Sequence, residues 1–441
     1  NIRGGSGWSY GAGSRVLLLI DDIPALQVDA GSPNWDDIPV ENIEQVEVVK
    51  GAASALYGSS SMNGIINIRT AYAKSEPETA FSTFYTAYGD PKDPGKKWWG
   101  SSDRPFQTGL SAAHRRKFDK LDLVLGGYAY TQQSFRQATD VTYGRTNIGT
   151  RYRFNDKLSA GVNANFNFGN SNNYFYWTAT DCQCGSYVGD STTLSDRKRL
   201  RYTIDPFITY FDKKGNRHKL LTRYYSIRND VDRNQSNRSQ LLYGEYQFQR
   251  NFSDLQLVAT AGLVGSRAFS DSQLFGDTTY VIGNTAAYLQ FDKKFFDKLN
   301  LSGGVRYERN TISSPDSVEV QGTLFASGKS VEAKPVLRIG ANYQLAPFTF
   351  LQASWGQGYR FPTLAEKFIS TLAGSLNIIP NPELTSETGW TVELGIKQGF
   401  KISQMSGFLD VSVFQSEYRN MMEFELTGVE FVVDPGGGFN T

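Results

Sequence analysis

The chain has 441 residues, and its 45 basic and 44 acidic side chains leave a formal net charge of only +1. This balance provides no global field for nucleic acid, so we expect no nucleic-acid partner. Aromatic residues make up 14% of the chain, and no apolar run approaches the roughly 18 residues of a membrane-spanning helix. The composition suits either a transmembrane β-barrel or a soluble β-rich protein.

Five sequence elements follow one another at the start of the chain. They are IRG from Ile2, VLLLIDDIP from Val16, IPVENIEQVEVVKG from Ile38, ALYGSSSMNG from Ala55 and INIRT from Ile66. In this order they resemble the plug domain of TonB-dependent outer-membrane receptors. The resemblance implies that residues 1–73 are the C-terminal part of a small α+β plug domain, and that residues 74–441 form the barrel around it.

After Thr70 the sequence changes to long segments in which polar and apolar residues alternate, as they do along β-strands. The clearest segment is 158–169, where Asn and Gly occupy most of one face and apolar residues the other. Alternation alone does not tell a soluble sandwich from a barrel whose apolar face meets lipid. The lengths of the connections distinguish the two folds, because a membrane barrel alternates short turns with long loops. Here short connections such as 155–157 alternate with long ones, which we predict at 170–198, 230–238, 270–282, 313–330 and 358–387.

The predicted fold class is therefore an all-β transmembrane barrel with the plug in its lumen. We count about 15 or 16 strands of bilayer-spanning length. The resemblance implies about 22 antiparallel strands in a complete receptor. We expect the chain to be a fragment without the last barrel strands and without the upstream region that carries the TonB box.

A second resemblance lies within the barrel. FLQASWGQGYRFPTLAEKFI from Phe350 and PNPELTSETGWTVELGIKQGF from Pro380 are similar to a strand, a long outer loop with a short helix, and a return strand of the same family.

Residues that could build an enzyme or metal site are sparse, and we predict no catalytic site, cofactor or metal. His114 and His218 have no nearby Cys or second His. Cys182 and Cys184 can form a strained local disulfide or stay unlinked, and a soft-metal site is the less favoured alternative. An acidic cluster in the plug can hold calcium, although turn-forming carboxylates are the commoner explanation. Its members are Asp21, Asp22, Asp29, Asp36 and Asp37.

The resemblance implies a receptor in the outer membrane of a Gram-negative bacterium, surrounded by lipid. It would import a scarce ligand by plug displacement, driven by TonB and the inner-membrane ExbB–ExbD motor. A ferric siderophore is the commonest substrate class, and cobalamin and oligosaccharides are alternatives. Two other hypotheses remain open: a structural or secretion-associated subunit of an envelope complex, for example with a surface lipoprotein, and a surface receptor for a protein partner.

Ligand binding is expected at the outward plug loops and the long barrel loops, which carry aromatic residues and arginines. Aromatic rings stack on flat ligands, and arginine forms hydrogen bonds to oxyanions. In the family the turn after VLLLIDDIP faces outward, so the acidic cluster is expected near the ligand. The resemblance also implies a plug–barrel ion pair between Lys50 and Glu393, and the alternative is a solvated Lys50 at the end of its strand. The ligand-binding candidates are Arg3, Trp8, Tyr10, Gln27, Asp29, Trp35, Tyr174, Tyr176, Trp177, Tyr359 and Arg360. For Tyr174, Tyr176 and Trp177 the alternative is a strand end in the aromatic girdle at the membrane interface.

Overall fold

The computed structural model describes residues 2, 13–52, 54–175, 187–315, 317–320, 323–326, 328–373, 376–423, 432–433 and 439–440. Within these ranges a four-stranded sheet near the start of the chain is followed by a fifteen-stranded sheet and three small hairpins. Among the described residues, no helix combines the length and the apolar character needed to cross a membrane.

The first sheet is the plug. Its elements are β1 (Val16–Ile20), β2 (Ile23–Pro24), 3-10 turns at Trp35–Asp37 and Val40–Asn42, β3 (Ile43–Lys50), helix α1 (Ser54–Tyr57) and β4 (Gly64–Thr70). The strand order is β2-β1-β4-β3, with β1 parallel to β4 and β3 antiparallel to it.

Both faces of β1 are buried, which explains its unbroken apolar sequence VLLLI. On one face Leu17 and Leu19 pack against Ile65. On the other face Leu18 packs with Ile38 and Ile68. The plug therefore has a thin apolar core on each side of its central strands.

The barrel strands follow in chain order. They are β5 (Glu78–Ala87), β6 (Phe106–Phe118), β7 (Leu121–Gln133), β8 (Val141–Arg153), β9 (Leu158–Asn173), β10 (Ser195–Phe211), β11 (Arg217–Val231), β12 (Asn237–Phe252), β13 (Leu257–Ser272), β14 (Thr278–Phe295), β15 (Leu299–Ser313), the loop hairpin β16 (Ser317–Val320) and β17 (Thr323–Ala326), β18 (Lys329–Ala346), β19 (Thr349–Arg360), helix α2 (Leu364–Phe368), the loop hairpin β20 (Thr371–Ala373) and β21 (Leu376–Ile378), β22 (Glu387–Ile402), β23 (Met405–Arg419), and the pair β24 (Val432–Val433) and β25 (Phe439–Asn440). Further 3-10 turns occur at Pro94–Lys96, Ser253–Leu255 and Gln273–Phe275.

In the described part of the chain, fifteen of these strands form one sheet that runs from β5 through β15 to β18, β19, β22 and β23. Every neighbouring pair is antiparallel. The predicted fold class and the number of strands expected in this chain are confirmed.

The two ends of the barrel differ in their connections. At one end, which we call the short-turn end, the seven connections between described strands have two to five residues. At the other, the long-loop end, they have between 5 and 26 residues. The predicted long connections at 230–238 and 270–282 are wrong, since the strands extend further and leave five residues in each.

Burial shows which face of the wall points inward. In β9, Asn167 is 0% exposed, whereas its neighbour Phe168 is 54% exposed. The Asn167 side chain donates to the plug residue Asp37 at 3.0 Å. Polar residues thus face the plug and apolar residues face outward, the reverse of a soluble sandwich.

Candidate functional site

A buried carboxylate joins the plug to two barrel strands at the long-loop end. Glu387 begins β22 and is 0% exposed. Arg15, just before β1, places Nη2 2.6 Å from Glu387 Oε1 and Nε 2.9 Å from Oε2. Arg360, the last residue of β19, donates from Nε to the same Oε2 at 2.9 Å. We call Arg15, Arg360 and Glu387 the plug bracket, in which two guanidinium groups share one carboxylate away from solvent screening.

Glu366 on α2 extends the plug bracket into the loop between β19 and β22. Its carboxylate lies 2.7 Å from Arg360 Nη1 and accepts the Gly13 amide at 3.0 Å. It also completes a capping box at the start of α2. One residue earlier, the Ala365 amide donates to the Asp29 carbonyl at 2.9 Å. Helix α2 is therefore fastened to two separate segments of the plug.

Acidic side chains of the two plug 3-10 turns pair with arginines of β8 and β10. We call this contact the charged seam. Its pairs are Asp36–Arg199 at 2.8 Å, Asp37–Arg201 at 2.9 Å and Glu41–Arg145 at 2.5 Å. All three arginine side chains are nearly buried, as are Asp37 and Glu41, so those two pairs are protected from salt screening, whereas the Asp36 side chain is 40% exposed. The seam attaches the plug to the β8–β10 wall.

Tyrosine rings flank the charged seam on the barrel wall. Tyr128, Tyr130 and Tyr143 have ring centres between 5.3 and 6.3 Å apart. The guanidinium of Arg199 lies 4.8 Å from the Tyr143 ring centre, and that of Arg145 lies 5.0 Å from the Tyr128 ring centre. Within the described residues, Nε and Nη2 of Arg199 are buried without a hydrogen-bond partner. This tyrosine–arginine wall offers aromatic faces together with spare cationic donors.

The predicted ligand-binding residues of the plug differ in accessibility. Trp35 is 57% exposed and adjoins the charged seam. Gln27 is half-buried and donates to Asn34. Asp29 is buried and accepts Asn237 Nδ2 at 2.5 Å, and burial raises the pKa of its carboxyl group. Trp35 is thus the most accessible of the three in this conformation.

The predicted barrel residues Tyr174, Tyr359 and Arg360 are all buried. The Tyr174 ring lies 5.4 Å from the Arg136 guanidinium. Tyr359 donates its hydroxyl to Glu308 Oε2 at 2.6 Å, and Arg360 belongs to the plug bracket. In this conformation Tyr359 and Arg360 make contacts within the protein, and their contact with a ligand stays a prediction.

Several predicted residues lie outside the described part of the chain, together with the disulfide expected between two of them. They are Arg3, Trp8, Tyr10, Tyr176, Trp177, Cys182 and Cys184.

Lys50 and Glu393 line the wall of the same cavity, of about 600 Å³, near the short-turn end. Arg338 lies on that wall as well and is within electrostatic range of Glu393. The direct Lys50–Glu393 ion pair stays a prediction.

The expectation that the acidic turn after β1 faces the long-loop end is wrong for Asp21 and Asp22. Asp22 Oδ2 lies 2.7 Å from Lys219 Nζ and 2.7 Å from Arg69 Nη1. Lys219 lies near the start of β11, which is at the short-turn end. Asp21 accepts the Asn163 side chain at 3.1 Å. Burial alone would raise the pKa of Asp22, but Lys219 and Arg69 outweigh it and lower the pKa to about 2.

Sequence reasoning did not identify Arg15, Glu387 or the arginines of the charged seam. One signal was present in the sequence RKRLR at 197–201, which puts Arg199 and Arg201 on the same face of a strand. On a lumen-facing strand, two buried arginines are costly without acidic partners, and the plug is the element that can supply them. No comparable local pattern marks Arg15 and Glu387, which are 372 positions apart.

We expect Glu387→Gln to destabilise the plug in the full-length protein. The substitution leaves two buried guanidinium groups without their shared charge, which costs about 3–5 kcal/mol. Glu417→Gln is the control, since Glu417 pairs with the exposed Arg419 and such pairs contribute about 1 kcal/mol or less. Urea unfolding, monitored by tryptophan fluorescence, gives the unfolding free energy of each variant. Equal effects of the two variants would contradict the central role of the bracket.

We also expect Asp22 to make plug stability depend on pH. Because its folded-state pKa is lowered from 3.8 to about 2, its contribution is complete above pH 3.8 and is lost as the pH falls through 2. The difference in unfolding free energy between wild type and Asp22→Asn should therefore shrink by about 2 kcal/mol from about pH 5 to about pH 2. Urea titrations at both pH values test this, and a constant difference would refute it.

Comparison with known proteins finds family matches for both the plug and the barrel. The family model described as TonB-dependent receptor plug domain matches residues 1–65, and the one described as TonB-dependent receptor-like β-barrel matches residues 79–434. Among curated relatives, a hemin receptor of Yersinia enterocolitica is 23% identical over 96% of this chain and 62% of its own length. The vitamin B12 transporter BtuB of Vibrio vulnificus is 24% identical over 93% of this chain and 60% of its own length. The chain thus spans about three fifths of these relatives.

Solved structures have the same fold. The siderophore receptor PirA from Pseudomonas aeruginosa superposes with a TM-score of 0.71 at 16% identity, covering 97% of this chain and 70% of that one. The ferric-catecholate import receptor Fiu from E. coli gives a TM-score of 0.69 at 12% identity, covering 98% of this chain and 68% of that one. The two family models together account for most of the described sheet and plug, and the chain belongs to the TonB-dependent receptor family.

Proposed function

We propose that this chain is the plug and barrel portion of an importer in the outer membrane of a Gram-negative bacterium, and that its ligand is a ferric siderophore. Lipid surrounds the apolar outer face. TonB, driven by the ExbB–ExbD motor, displaces the plug after the ligand binds. The relatives are a receptor for hemin and a transporter for vitamin B12, and the structural neighbour PirA is a siderophore receptor, which supports a small-molecule or metal-chelate ligand.

The observation that carries the siderophore proposal is the tyrosine–arginine wall beside Trp35. A ferric siderophore presents negatively charged oxygen atoms and, in the catecholate class, aromatic rings. Tyrosine and tryptophan faces suit such rings, and guanidinium groups suit the oxygen atoms. Arg199 has two buried nitrogens without a hydrogen-bond partner in the described structure, and an unsatisfied buried donor gains most from a ligand oxygen.

Uptake measurements on the full-length protein test this function. The protein is expressed in a strain that lacks its own receptors, and the cells are offered ⁵⁵Fe-loaded enterobactin, ⁵⁵Fe-loaded yersiniabactin, hemin and cyanocobalamin. We expect TonB-dependent uptake of an iron–siderophore. Uptake of hemin or cobalamin alone would overturn the siderophore class. Uptake of none of the four would contradict import and favour a structural or protein-binding role.

A matched pair of arginine variants tests the site. Arg199→Gln removes the spare donors of the wall, and we expect about tenfold weaker siderophore binding, equivalent to about 1.4 kcal/mol. Arg228→Gln is the control, because Arg228 is exposed and pairs with Asp230 on its own strand. Equilibrium binding to purified protein gives both affinities, and equal affinities would place the ligand elsewhere.

A further inference from the structure

Two cationic side chains stand on the outer face of the barrel close to the short-turn end. Arg250 lies on β12 and Lys293 on β14, each just before its strand ends. Successive side chains of a strand point to opposite faces. Tyr246 shares the face of Arg250 and Phe291 shares the face of Lys293, and both are exposed, whereas Tyr288 on the other face of β14 lines the lumen. Both cations therefore project from the face that carries the apolar side chains.

Each of these cations bends over an aromatic ring that lies nearer the turn. The Arg250 guanidinium is 4.5 Å from the Phe252 ring centre, and Lys293 Nζ is 5.0 Å from the Phe295 ring centre. Both phenylalanines are the last residues of their strands, so both charges are directed away from the middle of the wall. Long cationic side chains bend in this way at a membrane boundary, because the charge then reaches the headgroups while the stem stays on apolar surface.

The two cations are close enough to act on one group. Strand β13 lies between them, and the register aligns Arg250 with Ala259 and Lys293 with Leu257, the next residue on the same face of β13. Since neighbouring strands are about 4.8 Å apart, the backbones of β12 and β14 are separated by about 10 Å. Two long side chains can span this distance and reach a single phosphate group from both sides.

The chain itself does not neutralise these charges. Within the described residues neither Arg250 nor Lys293 forms an ion pair. The acidic residue of the β14–β15 turn, Asp297, pairs instead with Lys294 at 3.3 Å and accepts a hydrogen bond from Gln256 at 3.1 Å. A lipid-facing cation is costly inside the apolar band and tolerated at its boundary. Its favourable partner there is an anion supplied by the membrane.

The turns beside the two cations carry exposed apolar side chains. Leu255 lies in the β12–β13 turn and Phe296 in the β14–β15 turn, and Phe296 is 90% exposed. Turns that face only water are usually built from Gly, Pro, Asn, Asp and Ser. Leucine and phenylalanine at these positions fit contact with the glycerol and upper acyl carbons of a lipid.

A third cation marks the opposite membrane boundary on the same part of the wall. Arg267 of β13 bends over Phe269, toward the long-loop end, with its guanidinium 5.3 Å from the ring centre. It lies on the same face as Ala259, eight residues further along the strand. In a tilted strand these residues span about 20 Å, and the outward bend of the cations brings the separation of the charges near the apolar band of about 25 Å. Arg250 and Lys293 are therefore at headgroup depth.

We propose that one anionic phospholipid binds here, with its phosphate between the two cations and its glycerol and upper acyl carbons on the apolar side chains. A headgroup with net negative charge is favoured over a zwitterionic one, whose own cation competes with Arg250 and Lys293 for the phosphate. The inference rests on the proposed membrane location and is independent of the imported ligand. We call the site the basic–aromatic patch, and its members are Arg250, Phe252, Leu255, Lys293, Phe295 and Phe296.

Native mass spectrometry of the purified full-length receptor tests the patch. The protein in mild detergent is titrated with dioleoyl phosphatidylglycerol or dioleoyl phosphatidylcholine, and the dissociation constant of the first bound lipid is measured for each. A separate titration with phosphatidylglycerol contains excess inorganic phosphate. The test variants are Arg250→Gln and Lys293→Gln, and Arg250→Lys retains the charge.

Arg116→Gln is the matched control. Arg116 also lies just before a short turn and bends over an aromatic ring, 4.7 Å from the ring centre of Phe118. The aligned residues of the next two strands, Leu123 and Thr150, are uncharged. This residue therefore provides the same local pair without a second cation beside it.

We expect the wild type to bind phosphatidylglycerol about fivefold or more tightly than phosphatidylcholine. Arg250→Gln and Lys293→Gln should each weaken phosphatidylglycerol binding about fivefold, whereas Arg250→Lys and Arg116→Gln should stay within about twofold of the wild type. Phosphate in excess should leave the lipid bound, because the apolar contacts belong to the lipid alone.

Three results would overturn the patch. Equal affinity for the two lipids would mean an unselective lipid shell, unchanged binding in both glutamine variants would place the lipid elsewhere, and full displacement by phosphate would mean a simple anion site. None of these results bears on import, which is measured by uptake. A receptor that imports none of the ligands offered would likewise leave the lipid measurements as they are.

Discussion

The carboxylate of Glu387, held between Arg15 and Arg360, is the interaction on which the plug's position depends. A single buried charge with two guanidinium partners is costly to leave unpaired, so the start of β1, the end of β19 and the start of β22 must stay together. Through Arg360 and Glu366 the same network reaches α2, and α2 supplies part of the apolar cluster above the lumen. One set of ion pairs therefore positions the plug and the long loop at once.

The plug is attached to the barrel wall by different kinds of contact around its circumference. Ion pairs with nearly buried arginines bind it to β8 and β10, and Asp22–Lys219 binds it to β11, whereas α1 touches the wall through backbone and apolar contacts. The charged seam and the tyrosine–arginine wall near Trp35 lie on the same side of the plug.

Local sequence patterns were sufficient for the fold. The five plug elements and the alternation over 158–169 predicted a plug and outward apolar faces, and the buried Asn167 beside the exposed Phe168 bears this out. The site was less predictable, because its pairs join distant positions: Arg15 and Glu387 are 372 residues apart. Family analogy suggested Lys50 and Glu393, which share a cavity wall. The turn at Asp21 and Asp22 was placed at the wrong end, since the direction of β1 in the lumen is set by tertiary pairing with Lys219 and Asn163.

Hydrogen exchange on the full-length receptor, without ligand, tests the contribution of the charged seam most directly. The compared segments are the 3-10 turns at residues 35–42, which carry the charged seam, and α1 at residues 54–57, whose sequence SALY contains no charged side chain. Amide exchange reports the free energy of local opening. The account predicts slower exchange in residues 35–42 than in residues 54–57, with the difference reduced by Arg145→Gln. Equal protection of the two segments, or slower exchange in α1, would contradict it.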